Sequence, residues 1–199
     1  MPAAYDPDTL AFYQSDAPDY VASGAGGVSR HLHGFLDRLS PGAEILELGC
    51  GGGRDAEAMI ERGFRVDPTD GVRAMADKAA ERIGRPVRVM RFDELDADAA
   101  YDAVWANASL LHVPFPALAG VLSAVHRALR PGGLAFASFK AGPALGRDRF
   151  GRYFNYPSKD ELVGAFGVAA RWARLELWEG EGGGYEGGRG PWIAVTATR

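Results

Sequence analysis

The residues best suited to chemistry lie in one run, Ile45-Leu46-Glu47-Leu48-Gly49-Cys50-Gly51-Gly52-Gly53, where an apolar segment leads into glycines and a helix begins near Arg54. Glycines at such a turn let bare backbone approach a ligand, and doubly wound folds hold their ligands at the carboxyl edge of the sheet. A nucleoside is the ligand this arrangement suits. The dinucleotide fingerprint needs glycine at its first, third and sixth positions, and counting from Gly49 the sixth is Arg54, so it fails. Glu47, just before the first glycine, would repel a pyrophosphate and attract an ammonium group. The run Val66-Asp67-Pro68-Thr69-Asp70-Gly71 places an acid about twenty residues beyond the turn, the spacing for gripping ribose hydroxyls. Asp70 suits that role better than Asp67 because it sits at the strand exit.

Further along, Asn107-Ala108-Ser109-Leu110-Leu111-His112 follows a fourth apolar run and carries the imidazole best placed as a general base. The competing reading is that His112 merely lines a pocket. Cys50 is the only cysteine, which excludes an intrachain disulfide and a cysteine-rich zinc site. Within the turn it reads as a small filler rather than a nucleophile, with no group to activate it. His31 and His33 flank Leu32 without a third ligand at metal-binding spacing, and no metal is predicted.

These groups need a framework, and the pattern supplies one. Short apolar runs at 44–48, 64–69, 86–92, 102–106 and 133–139 alternate with segments of helical spacing, as in βαβ units around a parallel sheet. Leu118, Val121, Leu122, Val125 and Leu129 form the clearest helical stripe, with Pro131-Gly132-Gly133 expected to stop it. Shorter helices end at Gly63 and Gly84. Segments 9–20 and 28–39 read as helices before the sheet, and Ser158-Lys159-Asp160-Glu161 has capping-box spacing. Two last strands, 171–179 and 191–198, flank a glycine-rich turn at 180–190 and predict an antiparallel hairpin at the sheet edge. The expected fold is α/β: a Rossmann-like, doubly wound, seven-stranded and mostly parallel sheet with an antiparallel C-terminal hairpin. One domain is expected over 1–199, with a helical cap at 1–40, a ligand-binding core at 44–140, and a loop, helix and hairpin at 141–199.

With Phe92-Asp93 after the third strand, Tyr101-Asp102-Ala103-Val104 opening the fourth and Arg127-Ala128-Leu129-Arg130-Pro131-Gly132-Gly133 before the fifth, the ordered set resembles the class I S-adenosylmethionine-dependent methyltransferases of small bacterial type. The likeness spans roughly 44–140. It implies S-adenosylmethionine as cofactor, with Glu47 and the backbone of Gly49, Cys50 and Gly51 at its methionine part. It also implies Asp70 and Gly71 at the ribose, Phe92 and Asp93 at the adenine, and Met75 packed on the base. Asn107 joins this set, and Tyr13 and Tyr20 resemble tyrosines that fold over the cofactor. Aromatics gather after the fifth strand, and Tyr153, Phe154 and Tyr156 are expected to roof an acceptor pocket with His112 at its floor. The alternatives are a nucleotide-binding oxidoreductase, which the failed fingerprint and Glu47 oppose, and a non-catalytic cofactor sensor on the same fold.

Composition limits the acceptor. The 199 residues carry a formal net charge of −4, 47% hydrophobic and 24% charged residues, with arginines scattered rather than striped. That is poor footing for a polyanion, because nucleic-acid affinity comes largely from neutralised phosphates. After the fourth strand, Asn107 is followed by Ala108-Ser109-Leu110, unlike the Pro-Pro-aromatic run of enzymes that methylate amino groups of DNA bases. No secretory leader and no membrane span are read. A cytoplasmic enzyme acting on a small or medium-sized acceptor is expected.

Overall fold

The computed structural model describes residues 3–23, 27–142, 146–185 and 187–199. Helix α1 (Pro7–Ala22) leads, followed by α2 (Leu32–Leu36), β1 (Glu44–Leu48), α3 (Arg54–Glu61), β2 (Arg65–Asp70), α4 (Arg73–Ile83), β3 (Arg88–Val89), β4 (Tyr101–Ala106), α5 (Phe115–Ala128) and β5 (Leu129–Lys140). The chain continues through β6 (Gly146–Arg147), β7 (Tyr153–Phe154), α6 (Lys159–Ala169), β8 (Arg174–Gly183) and β9 (Arg189–Thr198). Seven strands form one sheet in the order β3-β2-β1-β4-β5-β9-β8, parallel except where β9 runs antiparallel to β5 and β8. No helix among the described residues is long and apolar enough to cross a membrane.

The two-residue alternation of the strands sends side chains to opposite faces. Leu46, Leu48, Val104, Ala135 and Phe139 pack against the stripe of α5 and against Leu162 and Phe166 of α6. Ile45, Ala103, Trp105 and Phe136 meet Leu32, Phe35 and Leu36 of α2 and Met59 of α3. With helices on both faces, the chain reverses its direction of winding between β1 and β4. In an open α/β sheet that reversal leaves a crevice at the carboxyl ends of the two strands.

Several boundaries depart from the sequence pattern, each for a local reason. The segment at 86–92 keeps only Arg88–Val89 as strand, because the Glu94 carboxylate accepts the Arg91 N–H and turns Phe92–Glu94 into one tight helical turn. The helix expected at 28–39 contracts to Leu32–Leu36: Ser29 N–H is held by the Asp55 carboxylate, and Val28 is exposed. Pro131-Gly132-Gly133 does not stop α5, which ends at Ala128. Tyr101 pairs with Leu129 and Ala103 with Leu134, so the proline and glycines form a bulge at the start of β5. Much of the glycine-rich segment expected as a turn is strand, with Gly180–Gly183 paired to 189–192; Glu186 at its tip lies outside the described residues. Gly84 is the left-handed cap of α4, and Ser158 and Glu161 cap α6 reciprocally.

Candidate functional site

The glycine turn is pinned before any ligand is considered. Gly49 and Cys50 both donate their N–H to the Thr69 carbonyl, at 2.9 and 2.8 Å, and the Thr69 hydroxyl donates to the Glu47 carbonyl at 2.7 Å. The carboxyl ends of β1 and β2 are thereby tied together. Gly49 has φ +73°, and a Cβ there would fall 2.6 Å from Ser109 Cβ, so this approach requires glycine. Asp70 completes the turn: one carboxylate oxygen accepts the Gly51 N–H at 3.0 Å and the other the Val72 N–H at 2.9 Å. Burial still pushes its pKa up to about 6, those two bonds opposing the shift.

Glu47 is the unusual group. It is 3% exposed, and its Oε2 is buried with no hydrogen-bond partner among the described residues. Burial, then the charges of Asp55 and Asp70, holds its pKa well above the carboxylate range. A buried orphan acceptor is costly, about 1–3 kcal/mol, unless something completes it. A ligand ammonium would do so. Asp55 is itself satisfied, accepting from Ser29 N–H at 2.8 Å and Trp105 Nε1–H at 2.8 Å.

Two cavities meet at this edge. The smaller, about 100 Å³, is walled by Tyr13, Tyr20, Gly49, Gly51 and Asp70, with Gly71, Met75 and Phe92 beyond them. The larger, about 620 Å³, lies under the C-terminal hairpin and takes in Asn107, Leu111, Phe154, Trp178 and Trp192. Tyr13, Tyr20, Ala108 and His112 line both and form the partition.

On that partition the hydrogen bonds have one consistent direction. His112 Nδ1 lies 2.6 Å from the Tyr153 carbonyl, which can only accept, so Nδ1 carries the proton and Nε2 is the acceptor. Tyr13 OH, 3.1 Å from Nε2, donates to it and accepts from Arg152 Nη1 at 2.9 Å. Burial, reinforced by the charges of Arg152 and Lys140, lowers the His112 pKa to about 4, the Tyr153 bond opposing; the imidazole is neutral at pH 7. Arg152 is 2% exposed, ion-paired to Asp148 at 2.6 Å and ringed by Phe12, Tyr13, Phe150, Phe154 and Tyr185.

The sequence-derived residues therefore divide. Gly49, Gly51, Asp70, Gly71, Met75, Phe92, Tyr13 and Tyr20 line the small cavity, while Glu47 is buried in β1 two residues before Gly49 and lines neither cavity. Cys50 turns away and packs with Ala76, Ala79 and Val87, and burial raises its thiol pKa. Asp93 pairs with Arg91 at 3.0 Å and is not on the cavity wall. Asn107 faces the larger cavity, its side-chain carbonyl accepting from the Ser138 hydroxyl at 2.8 Å. Of the three aromatics expected to roof an acceptor, only Phe154 lines that cavity. Tyr153 contributes its backbone carbonyl, and Tyr156, at φ +38°, packs against Phe154 and Gly142. Asp67 is engaged elsewhere, accepting from Tyr101 OH at 2.6 Å and Arg88 at 2.7 Å. Sequence reasoning missed Arg152, Ser109 and Asp55. The interleaving of Arg152 with Phe150, Tyr153 and Phe154 was the one signal for it.

Residues 45–133 match the model of a family described as a methyltransferase domain. A ubiquinone biosynthesis O-methyltransferase of Xylella fastidiosa is 30% identical over 159 residues, covering 69% of this chain and 64% of that protein. The same-named protein of Paracidovorax citrulli is 35% identical over 115 residues, covering 53% and 48%. The chain thus spans under two thirds of the length of these relatives. Two solved structures share the fold. A Methanosarcina mazei S-adenosylmethionine-dependent methyltransferase has TM-score 0.76 and 17% identity, covering 87% of this chain and 98% of the other. A Burkholderia thailandensis 1,6-didemethyltoxoflavin N1-methyltransferase, solved with 1,6-didemethyltoxoflavin and S-adenosylhomocysteine, has TM-score 0.75 and 24% identity, covering 100% and 92%. In its glycine turn, its paired acids and its sheet order, and over the matched residues 45–133, the chain is similar to the class I S-adenosylmethionine-dependent methyltransferases.

Proposed function

We propose that residues 1–199 form a single enzyme domain that binds S-adenosylmethionine and methylates a small or medium-sized acceptor. The observation that carries this reading is the buried, unpartnered Glu47 Oε2 beside a turn whose glycines admit close approach. A site for a purely anionic ligand would not bury an acid there.

When bound, the cofactor supplies an electrophilic methyl group on a positively charged sulfur. Glu47 and the backbone at Gly49 and Gly51 hold the amino-acid part, Asp70 the ribose hydroxyls, and Phe92 and Met75 the base. Gly71, Cys50, Asp93 and Asn107 belong to this assignment more weakly, since only Gly71 of the four lies on the small-cavity wall. Tyr13 and Tyr20 close over the cofactor and separate it from the larger cavity, where the acceptor lies. Alignment across that partition is the main catalytic contribution asked of the protein. His112 Nε2 is the proton acceptor nearest both chambers, reached once the Tyr13 hydroxyl yields its place.

The acceptor is a small molecule rather than nucleic acid, in keeping with the net charge of −4. The names of the ubiquinone and toxoflavin methyltransferases point the same way. A reducing cytoplasm suits the single cysteine. Titration calorimetry with S-adenosylmethionine, S-adenosylhomocysteine and NAD tests the reading: the first two bind and NAD does not, and the reverse order would overturn it.

A further inference from the structure

The wall of the smaller cavity carries a polar group that the assignment above leaves unused. Ser109 stands just beyond the end of β4 and lines the smaller cavity but not the larger. It is 5% exposed, and its Oγ is buried with no hydrogen-bond partner among the described residues. The groups around it are engaged: Ala108 N–H donates to the Ser138 hydroxyl at 2.8 Å, and the Ser109 carbonyl accepts the His112 N–H at 3.1 Å. The hydroxyl alone is left over. A buried polar group without a partner is uncommon and calls for a reason. The position of Ser109 supplies one. A Cβ on Gly49 would fall 2.6 Å from Ser109 Cβ, 3.3 Å from its Oγ and 3.6 Å from the Phe92 ring, so Ser109 and Phe92 meet over the bare backbone of that glycine. Asp70 and Met75 share the same wall. These are the groups assigned to the nucleoside, whereas Glu47, assigned to the amino-acid end, lines neither cavity. At about 100 Å³ the cavity is smaller than the roughly 300 Å³ at which small-molecule sites begin, so a nucleoside parts these walls as it enters.

We propose that Ser109 is a cofactor-binding residue whose hydroxyl donates to a lone pair of the nucleoside half. The inference rests on the methyltransferase reading for the identity of the ligand, and on the buried hydroxyl for the contact. An ionised Asp70 can only accept, so it serves the O–H groups of a ribose and none of the lone pairs on the sugar and base. Those need a donor. Thr9 and Tyr13, two other hydroxyls on that wall, spend their protons on Asp6 and His112. Ser109 spends its proton on nothing in the described chain, so its donor is held for what enters. One consequence sets this role apart from packing: the hydroxyl adds nothing to the empty protein, and it acts only once the ligand is in place.

The test compares wild type with Ser109→Ala in two measurements, urea unfolding without ligand and calorimetric titration with S-adenosylhomocysteine and with 5′-deoxy-5′-methylthioadenosine, which keeps the nucleoside and lacks the amino-acid end. Ser109→Ala should unfold at the same urea concentration as wild type or a higher one, and should bind both compounds about threefold to tenfold more weakly. A residue that only packs would show the reverse, a loss of stability with both affinities kept. A less stable or unfolded Ser109→Ala shows that the hydroxyl has a partner in the empty protein and overturns the proposal. Unchanged affinities overturn it as well, and a loss confined to S-adenosylhomocysteine overturns the placement on the nucleoside. So does failure of methylthioadenosine to bind wild type at millimolar concentration while S-adenosylhomocysteine binds. Wild type that binds methylthioadenosine but not S-adenosylhomocysteine loses the methyltransferase reading, and Ser109 is then judged on methylthioadenosine alone; wild type that binds neither loses both.

Discussion

The hydroxyl of Tyr13 lies 3.1 Å from His112 Nε2, ninety-nine residues along the chain, on the partition between the two cavities. The geometry fixes who donates: Arg152 to Tyr13, Tyr13 to His112, His112 to the Tyr153 carbonyl. Helix α1 is thereby tied to the loop after β4 and to β7 by polar bonds, and it closes the site from above.

Removing the middle of this chain should be felt in stability. Tyr13→Phe keeps the ring that packs edge-on against Tyr20 but strips an acceptor from the buried Arg152 and a donor from His112. The expected loss is about 1–3 kcal/mol in denaturant unfolding. A variant as stable as wild type would mean that α1 is not held this way.

His112 gives the fold a pH dependence of known sign. Its folded pKa of about 4 lies below the 6.5 of the free side chain, so below pH 6.5 the unfolded chain binds a proton that the folded chain refuses. Stability from this group is full above pH 6.5 and is lost as pH falls to about 4, by about 2–3 kcal/mol. Asp70 acts oppositely: its pKa of about 6 lies above 3.8, so its contribution is lost as pH rises through 6. Subtracting the profile of His112→Gln isolates the first effect. A difference that stays flat between pH 7 and 4 would contradict a neutral, enclosed imidazole.

Two glycines with similar backbone should behave differently. Gly63 has φ +84° in open space, so Gly63→Ala meets only backbone strain, about 1–2 kcal/mol. Gly49→Ala adds the 2.6 Å collision with Ser109 and should cost about 1–3 kcal/mol more. Thermal or urea unfolding of the pair checks the order, and equal losses would show that Ser109 moves freely aside.

Asp70 holds two backbone N–H groups as well as the position assigned to the ribose. Asp70→Ala should therefore raise the dissociation constant for S-adenosylhomocysteine roughly tenfold or more. Asp67→Ala, whose partners are Tyr101 and Arg88, should leave it unchanged. Interchanged effects would move the ribose contact to Asp67.

How much of this was legible in the sequence depends on range. The glycine turn, Glu47 and Asp70 could be read because one short crossover fixes their spacing, and β1 appears at 44–48 in both readings. Arg152 is marked locally only by its interleaving with aromatics and by Asp148 four residues before it, while Tyr13, the partner that ties it to the site, is 139 residues away. The same limit explains Tyr153 and Tyr156, which share the aromatic character of Phe154 but point elsewhere. Alternation along so short a strand as β7 cannot say which of its faces meets a cavity. The bulge at Pro131-Gly132-Gly133 reads locally like a helix stop, and only pairing with β4 reveals it as part of a strand.

The central claim is that Glu47 waits for a ligand ammonium, and proton-linked calorimetry tests it most directly. Burial beside Asp55 and Asp70 favours the protonated form of this carboxyl, whereas pairing with a cation favours the carboxylate. S-adenosylhomocysteine titrated at pH 6.5 in two buffers of different ionisation enthalpy should show net proton release by wild type. Glu47→Gln should lose that release and bind roughly tenfold more weakly or worse, while being no less stable without ligand. Proton release and affinity both unchanged in Glu47→Gln would contradict the account.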